Sequence, residues 1–596
     1  MAARSVAMKN LEFKRNLSIY FSFVKNYKLI AISLLIVILL VEIMFLIEKY
    51  LFKLLIDRGT EFTADILTRA AFIDSIITLA LIFLSITLFG LILYWFRPTL
   101  INKLEVNIIA DMKRKFFRHI LELDHNFHTT HRTGSLISRL TRGSSAMERM
   151  TDIIAFNLFP LIVQIIAISF TMAYFDYSVL AIMLGTTTLH VSYSFYIQRL
   201  QENSSIIANQ SEDIEKGNMA DFFTNIDSIK YFGKEKIINN KYKDLSEKTK
   251  KAFLKNWNYF RLMRIGQGVI LGSAMALLIY VTLTRFLAGE MTLGTITFIY
   301  TAYGGLVFHM FNFVGGLRNF YRAMADFQEL FEYSKYTNEI KDKPDAKPLL
   351  IRKGTVEFKD INFSFGRRKI FDNFNLKIKE NEKVALVGHS GCGKTTLLKL
   401  LKRFYDVDSG EILIDGKNIK DFKQSSVRNQ TGIVPQECIL FDDTLYNNIK
   451  FSNPLAPREK VEEAIKFAQL DKIIKHFPKG EKTIVGERGV RLSGGEKQRV
   501  SIARSILANK KILILDEATS ALDSETESEI QKDLQELLKG RTSIIIAHRL
   551  STIMNADRII VMKQGNIVQE GTHGQLINQQ GEYKKLWNLQ KGGYIK

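Results

Sequence analysis

The chain reads as a membrane α-helical domain, with six transmembrane helices and long cytoplasmic helical extensions, fused to a cytosolic α/β P-loop domain. Three observations predict this. Six apolar runs, each long enough to cross a bilayer, lie in the N-terminal part of the chain. The longer connections between them are charged, almost free of proline and helical in period. Further on, a strand-like run leads into the glycine loop Gly388-His389-Ser390-Gly391-Cys392-Gly393-Lys394-Thr395.

A chain of 596 residues is too long for one compact core. Its mean hydropathy of +0.01 averages two unlike halves, one rich in Ile, Leu, Phe and Tyr and one charged and globular. A net charge of +21 raises the prospect of nucleic-acid binding, but position argues against it. Arg4, Lys9, Lys14, Arg15, Lys25 and Lys28 precede the first apolar run with only Glu12 opposing them, as expected of a cytoplasmic N-terminus. Cys392 and Cys438 form neither a disulfide framework nor a metal-ligand spacing.

The N-terminal segment, 1–28, suits a helix lying along the membrane with Leu11, Phe13, Leu17, Phe21 and Val24 as its apolar face; a transit peptide is the other reading. The first apolar run extends from Leu29 to about Ile56, too long for a signal-peptide core. The spans fall near 29–52, 73–96, 153–174, 177–197, 265–287 and 292–314. Phe175 and Asp176 separate the third from the fourth, and 288–291 the fifth from the sixth, so both pairs are tight outer hairpins.

Segments 97–151 and 198–263 have helical period, as in Ile108, Met112, Phe116, Phe117 and Ile120. Folded as hairpins they project about 40 Å into the cytosol. Turn residues mark the first tip, Asp124-His125-Asn126-Phe127-His128 and Thr133-Gly134-Ser135-Leu136.

Within the spans, Glu42, Gln164, His190, Gln267, His309 and Asn312 are costly in lipid and are candidates to line a substrate cavity. The alternative for each is a hydrogen bond between helices. Glu48 shares the cost but sits beside Lys49 at a boundary.

The expected division is 1–28 interfacial helix, 29–335 transmembrane domain, 336–353 charged linker and 354–596 nucleotide-binding domain. In the last, glycines 388, 391 and 393 let backbone N–H groups close around phosphate oxygens. Lys394 supplies charge to the β- and γ-phosphates, Thr395 a hydroxyl for Mg²⁺, and Thr396 continues the nucleotide-binding turn. The apolar strand Ile512 to Leu515 ends in Asp516, a water-mediated Mg²⁺ ligand, and Glu517, a general base. His548 follows a second such strand and is placed to orient water and γ-phosphate.

Leu492-Ser493-Gly494-Gly495-Glu496-Lys497-Gln498-Arg499 resembles the signature of ABC ATPases. Nearly the whole chain, residues 10–590, is similar to a half-size ABC exporter of the B type. That resemblance makes the second half a P-loop ABC ATPase in which the signature meets ATP held by another copy. It further implies a Q-loop at Gln436, which also reaches Mg²⁺, a D-loop at Ser520 to Asp523, and an X-loop at Thr483 to Gly489. Phe365 stands where a Tyr usually stacks on adenine. Thr133 to Arg139 matches the segment carrying the first coupling helix, and a second tip is expected near Gly217 to Phe223.

The implied protein is a homodimer in the bilayer that binds ATP and Mg²⁺ and exports a substrate by alternating access. Its N-terminus and ATPase face the cytoplasm, in the inner membrane of a prokaryote or in an organelle. Gly486-Glu487-Arg488-Gly489, Thr141-Arg142-Gly143, Phe156-Asn157-Leu158-Phe159-Pro160 and Lys230-Tyr231-Phe232 resemble the Atm1 and heavy-metal-tolerance branch, whose substrates are glutathione- or metal-related. Two features depart from that branch: Gln198 to Asn203 is largely neutral, and no proline lies near Asn312. A lipid or multidrug exporter, an ATP-gated channel and an importer are the alternatives within membrane transport. A soluble DNA-repair or translation ATPase is the alternative outside it, and it lacks spans.

Overall fold

The computed structural model describes residues 12–131, 133–486, 489, 492–516, 524–546 and 553–592, apart from the side chains of 524–528 and 590–592. Contacts divide the chain into two units, Met1–Leu123 with His128–Thr337, and Asp124–Phe127 with Asn338–Lys596.

The first unit is helical. Its elements are α1 (Phe13–Lys25), α2 (Lys28–Thr63), α3 (Arg69–Glu122), α4 (His125–Thr130), α5 (Thr133–Asp152), a π-helical turn (Ile153–Leu158), α6 (Phe159–Phe175), α7 (Tyr177–Thr224), α8 (Ile226–Tyr231), α9 (Glu235–Leu287) and α10 (Leu293–Phe331), with α4 straddling the two units. Pro160, near the start of α6, has no N–H to give, which favours a register change just before it.

Among the described residues, four helical stretches, α2, α3, α5 to α6 and α9, are long and apolar enough to cross a membrane. Helices α7 and α10 cover the fourth and sixth expected spans with a more polar composition, carrying His190 and Ser194 in one and His309 and Asn312 in the other. With 54 residues, α3 is about 80 Å long, more than twice a hydrocarbon core, so it continues as a stalk. At the outer turn, Asp176 caps α7 by accepting from the N–H groups of Ser178 and Val179, and Arg285 at the end of α9 lies 3.2 Å from the same carboxylate.

Two expectations are corrected in detail. On the stalk part of α3 the buried stripe is Ile101, Leu104, Ile108, Met112 and Phe116, whereas Phe117 is 60% exposed, because one residue is about 100° of helix rotation. The second tip is not at Gly217–Phe223, which stays inside α7. The chain turns at Asn225 and again around Gly233, which supplies a φ of +57°. Helix α1 buries Asn16, Tyr20 and Phe23 against the protein and leaves Phe21, on the face expected along the membrane, 51% exposed. Asn16 Nδ2 donates to Met324 O and Gln328 Oε1, and Tyr20 hydrogen bonds Thr151, so this helix is held by buried polar contacts.

Among the described residues, the second unit holds two sheets. Strands β1 (Val356–Phe365), β2 (Arg368–Ile378), β4 (Ser409–Ile414) and β5 (Lys417–Asn418) form an antiparallel sheet in the order β2-β1-β4-β5. The larger sheet runs β10-β9-β3-β8-β7-β6 through β3 (Lys383–Val387), β6 (Thr431–Val434), β7 (Ile512–Asp516), β8 (Thr542–Ile546), β9 (Arg558–Lys563) and β10 (Asn566–Gly571). All its pairings are parallel except β9 with β10. Strands β3, β7 and β8 are apolar runs buried on both faces, as a helix-covered parallel sheet requires.

The helices of this unit among the described residues include α11 (Lys394–Leu401), α12 (Gln424–Gln430), α13 (Leu445–Lys450), α14 (Arg458–Phe467), α15 (Leu470–Ile474), α16 (Gly494–Ala508), α17 (Ser524–Leu537), α18 (His573–Asn578) and α19 (Glu582–Gly592).

Candidate nucleotide site and buried membrane groups

The register of the parallel sheet gathers the nucleotide motifs at one edge. Leu386 of β3 and Asp516 of β7 both face Ile546 of β8, and Val434 of β6 faces Leu515. The phosphate loop, Asp516 and Gln436 therefore emerge together from the carboxyl ends of the strands, where open α/β sheets bind ligands. Strand, loop and helix α11 follow one another as the sequence requires.

The loop's shape depends on its glycines. Gly391 and Gly393 have φ of +81° and +110°, and a side chain at Gly393 would meet the Phe371 ring at 2.9 Å. At Gly388 an added Cβ would lie 2.3 Å from the Met562 carbonyl oxygen, so β9 packs directly under the loop. The Gly565 N–H donates to Cys392 O at 3.1 Å, tying the loop to the β9–β10 turn. Lys394 is buried, and its ammonium group donates to Gly388 O at 2.7 Å and His389 O at 3.2 Å, with Cys392 Sγ at 3.8 Å. His389, Ser390, Gly391 and Thr395 are exposed, and Thr396 is half-buried.

Phe365 closes β1 with its ring 40% exposed and its edge braced by Tyr405, at a centroid distance of 5.1 Å. A flat ring held this way suits stacking on a base. Thr395, Asp516 and Gln436 offer only oxygen donors, the set a hard ion such as Mg²⁺ takes alongside phosphate oxygens and water. Among the described residues no group of three His, Cys, Asp or Glu could hold a metal by itself. Glu517, His548 and Asp523 lie outside the described residues, as do Glu487 and Arg488 of the X-loop.

The signature segment opens α16. Ser493 caps it in a reciprocal box: Ser493 Oγ accepts from Glu496 N–H at 3.3 Å, and the Glu496 carboxylate accepts from Ser493 N–H at 2.6 Å. Leu492 is buried in the core as an anchor, while Ser493 and Gly494 are exposed and Gly495 is half-buried. The helix N-terminus thus presents a hydroxyl and glycine amides to solvent with favourable potential for an anion. Arg499, nearly fully buried, ties α16 to α17 through Asp533 at 3.2 Å and Glu529 at 2.6 Å.

In the first unit the candidate cavity residues fall into separate groups. Glu42, Gln164 and His309 meet: Gln164 Nε2 donates to Glu42 Oε2 at 2.9 Å and to its carbonyl at 3.2 Å, and His309 Nε2 is 3.2 Å from Glu42 Oε2. Gln267 Nε2 donates to Ser194 Oγ, which donates to the His190 carbonyl. His190 is fully buried, edge-on to Phe311. Asn312 is half-buried, and its carbonyl accepts from Asn157 Nδ2 at 2.8 Å. Glu42, Gln164, His190 and Gln267 are all at most 2% exposed, closed off here by neighbouring helices.

The Thr141-Arg142-Gly143 and Asn157 segments also pack on α10. Arg142 pairs with Glu329 at 2.5 Å, Gly143 makes room for Leu330, and Asn157 fills the space over Gly316.

Residues 29–310 match the family model "ABC transporter transmembrane region", and 371–520 the family model "ABC transporter". "ABC transporter B family member 6" of Dictyostelium discoideum is 36% identical over 523 residues, 83% of this chain and 76% of that one. The chain is a half-size ABC transporter. Its relatives include "Iron-sulfur clusters transporter ATM1, mitochondrial" of Yarrowia lipolytica, 33% identical over 84% of this chain and 71% of the other. The solved structure of a bacterial Atm1-family ABC exporter with ATP bound superposes with a TM-score of 0.83 at 29% identity, covering 96% of this chain and 99% of that one. This transporter is therefore a multi-pass membrane protein of the Atm1-type exporter fold, and its ATPase hydrolyses ATP to drive export.

Sequence reasoning missed the residues that fix these motifs from a distance. Arg403, 2% exposed, bonds Asp406, Asp342 and the carbonyls of Lys341 and Phe422, tying residues 341–342 to the rest of the second unit. Glu582 reaches the phosphate loop at His389. Neither carries a local motif.

Proposed function

We propose that two copies of this chain form a homodimeric exporter in which each ATP is held between the phosphate loop of one copy and the signature helix of the other. The supporting observation is the exposed, capped N-terminus of α16. A helix end suited to an anion, left on the surface of one copy, fits a γ-phosphate delivered by a second.

In this reading Lys394 and the loop amides hold the β- and γ-phosphates, and Phe365 stacks on adenine. Thr395, Gln436 and, through water, Asp516 hold Mg²⁺, which neutralises charge developing on the phosphates. Glu517 takes the proton of the attacking water, His548 orients that water and the γ-phosphate, and Asp523 lies along the dimer contact. ATP binding draws the two ATPases together and opens the cavity outward; hydrolysis resets it.

A complementation experiment tests the composite site. Lys394→Ala and Ser493→Arg chains should each be inactive alone. Assembled together they contain one intact site, so hydrolysis should return. Absence of any recovery in isolated mixed dimers counts against the reading.

The substrate class proposed is a glutathione- or metal-related thiol conjugate, supported by the branch-like segments and by what the relatives are called. The inner membrane of a prokaryote, with the ATPase cytoplasmic, is the proposed location, consistent with the near-complete coverage of the bacterial structure. Uptake by inverted vesicles offered glutathione conjugates, metal–thiol complexes and labelled lipids is the test. A second reading, a lipid or multidrug exporter, is favoured by exposed aromatics along α10, Tyr300 at 51% and Phe308 at 63%. Transport of lipid and not thiols would select it.

A further inference from the structure

The phosphate loop has a support that no nucleotide motif contains. His389, the second residue of the loop, lies with Nε2 3.2 Å from Glu582 Oε1, and Lys563 at the end of β9 donates to Glu582 Oε2 at 3.1 Å. The carboxylate is thus shared between the loop and the strand whose backbone passes beneath it.

Glu582 is itself firmly placed. Its side chain is only 13% exposed. The next residue, Tyr583, is 2% exposed; its N–H donates to Gln569 Oε1 at 2.9 Å and its hydroxyl bonds His573 Nδ1 at 2.7 Å. Gly581 lets Gln569 lie against the chain, since a Cβ there would sit 2.2 Å from Gln569 Nε2. The start of α19 is therefore fixed to β10. The loop touches the C-terminal part of the chain at three points: Gly388 over Met562 of β9, Cys392 O on Gly565 N–H in the β9–β10 turn, and His389 on Glu582 of α19. The first requires a glycine at 388 and the second is a backbone hydrogen bond, whereas the third is made between two side chains.

We propose that Glu582 is a positioning residue for the phosphate loop, and that α19 sets the transporter's affinity for ATP by holding His389. This rests on the reading that the loop binds ATP. The physical reason is preorganisation: a loop already held in its binding conformation loses less freedom when the triphosphate arrives. Holding His389 outward toward α19 also keeps its imidazole out of the concavity where loop amides meet phosphate. Anything that lifts α19, such as truncation before Glu582 or a partner that captures this helix, loosens the loop without touching the chemistry.

The test is a double-mutant cycle on the full-length transporter in nanodiscs, with ATPase measured against ATP concentration. Glu582→Ala should raise KM for ATP about three- to fivefold, the scale of a partly exposed ion pair plus lost ordering, while kcat at saturation stays above half of wild type. His389→Gln should raise KM comparably, and the double variant should match either single one. Multiplying effects, or an unchanged KM in both single variants, would overturn the proposal. So would a fall in kcat without a change in KM. If Glu582→Ala fails to assemble, Lys563→Met and His389→Gln carry the cycle from the other ends. Binding of a fluorescent ATP analogue to Lys394→Ala separates the two levels: undiminished binding there would refute the loop reading itself.

Discussion

Glu42 and His309 meet inside the membrane region, carboxylate to imidazole at 3.2 Å, with Gln164 donating to the same carboxylate oxygen. The contact joins α2, α6 and α10, three helices far apart in the chain. The buried carboxylate is a cross-tie whose loss takes away the partner of His309 and one of the two acceptors of Gln164, which keeps the residue-42 carbonyl, a cost of about 1–3 kcal/mol. Glu42→Leu should therefore lower the thermal midpoint of the detergent-solubilised transporter by several degrees, and Glu42→Gln by less, since it keeps an acceptor oxygen. Fluorescence-detected size exclusion after heating measures both. Equal midpoints for Leu and wild type would show that the tie does not hold the helices.

The proposed general base gives a separable effect. Glu517→Gln keeps size and polarity but cannot take a proton, so hydrolysis should fall roughly 10²-fold or more while ATP binding persists. Phosphate release and nucleotide retention, read on the same sample, check the two halves. Near-normal turnover would remove Glu517 from that role.

Gly388 makes a steric prediction. An alanine Cβ would lie 2.3 Å from a backbone carbonyl that cannot swing away. Gly388→Ala should weaken ATP binding at least tenfold, on the order of the 1–3 kcal/mol that overpacking costs. Gly416→Ala, a glycine with open space around it but a φ of +74°, controls for backbone strain alone. Isothermal titration with ATP under non-hydrolysing conditions distinguishes them.

Asp415 links stability to pH. Burial pushes its carboxyl up, but the N–H groups of Arg352, Gly354, Lys353 and Thr355, all donating to it, more than reverse this and hold it below its ordinary value. A depressed carboxyl contributes stability above its unfolded pKa and loses it as pH falls through the folded one. Asp415→Asn should thus cost about 2 kcal/mol at pH 7. The gap to wild type should stay level down to about pH 5 and close only below about pH 4. Trp587, the second unit's single tryptophan, reports unfolding once Trp95 and Trp257 are replaced by Phe. A gap that closes near neutral pH would contradict the assignment.

The family and the fold class follow from patterns that lie along the chain. Apolar runs of membrane length, helical period in the charged connections and a glycine loop between strand and helix are local signals, and local backbone physics makes each of them. The parallel strands were legible for the same reason: a short run such as Ile512 to Leu515, apolar at every position, has no solvent face and must be central.

What only the tertiary structure decided is pairing. Composition marked Glu42, Gln164, His190, Gln267, His309 and Asn312 as costly in lipid, yet it could not say that three of them share one contact or that Gln267 answers Ser194. It placed the second turn near Gly217–Phe223, where an exposed helix tolerates one glycine, a little before the actual turns at Asn225 and Gly233. It gave α1 an apolar face but missed the buried Asn16 and Tyr20 that hold it. It showed the phosphate loop without the Glu582 carboxylate beside it. Periodicity and motif depend on neighbours in sequence, whereas these contacts depend on which helices and strands pack together.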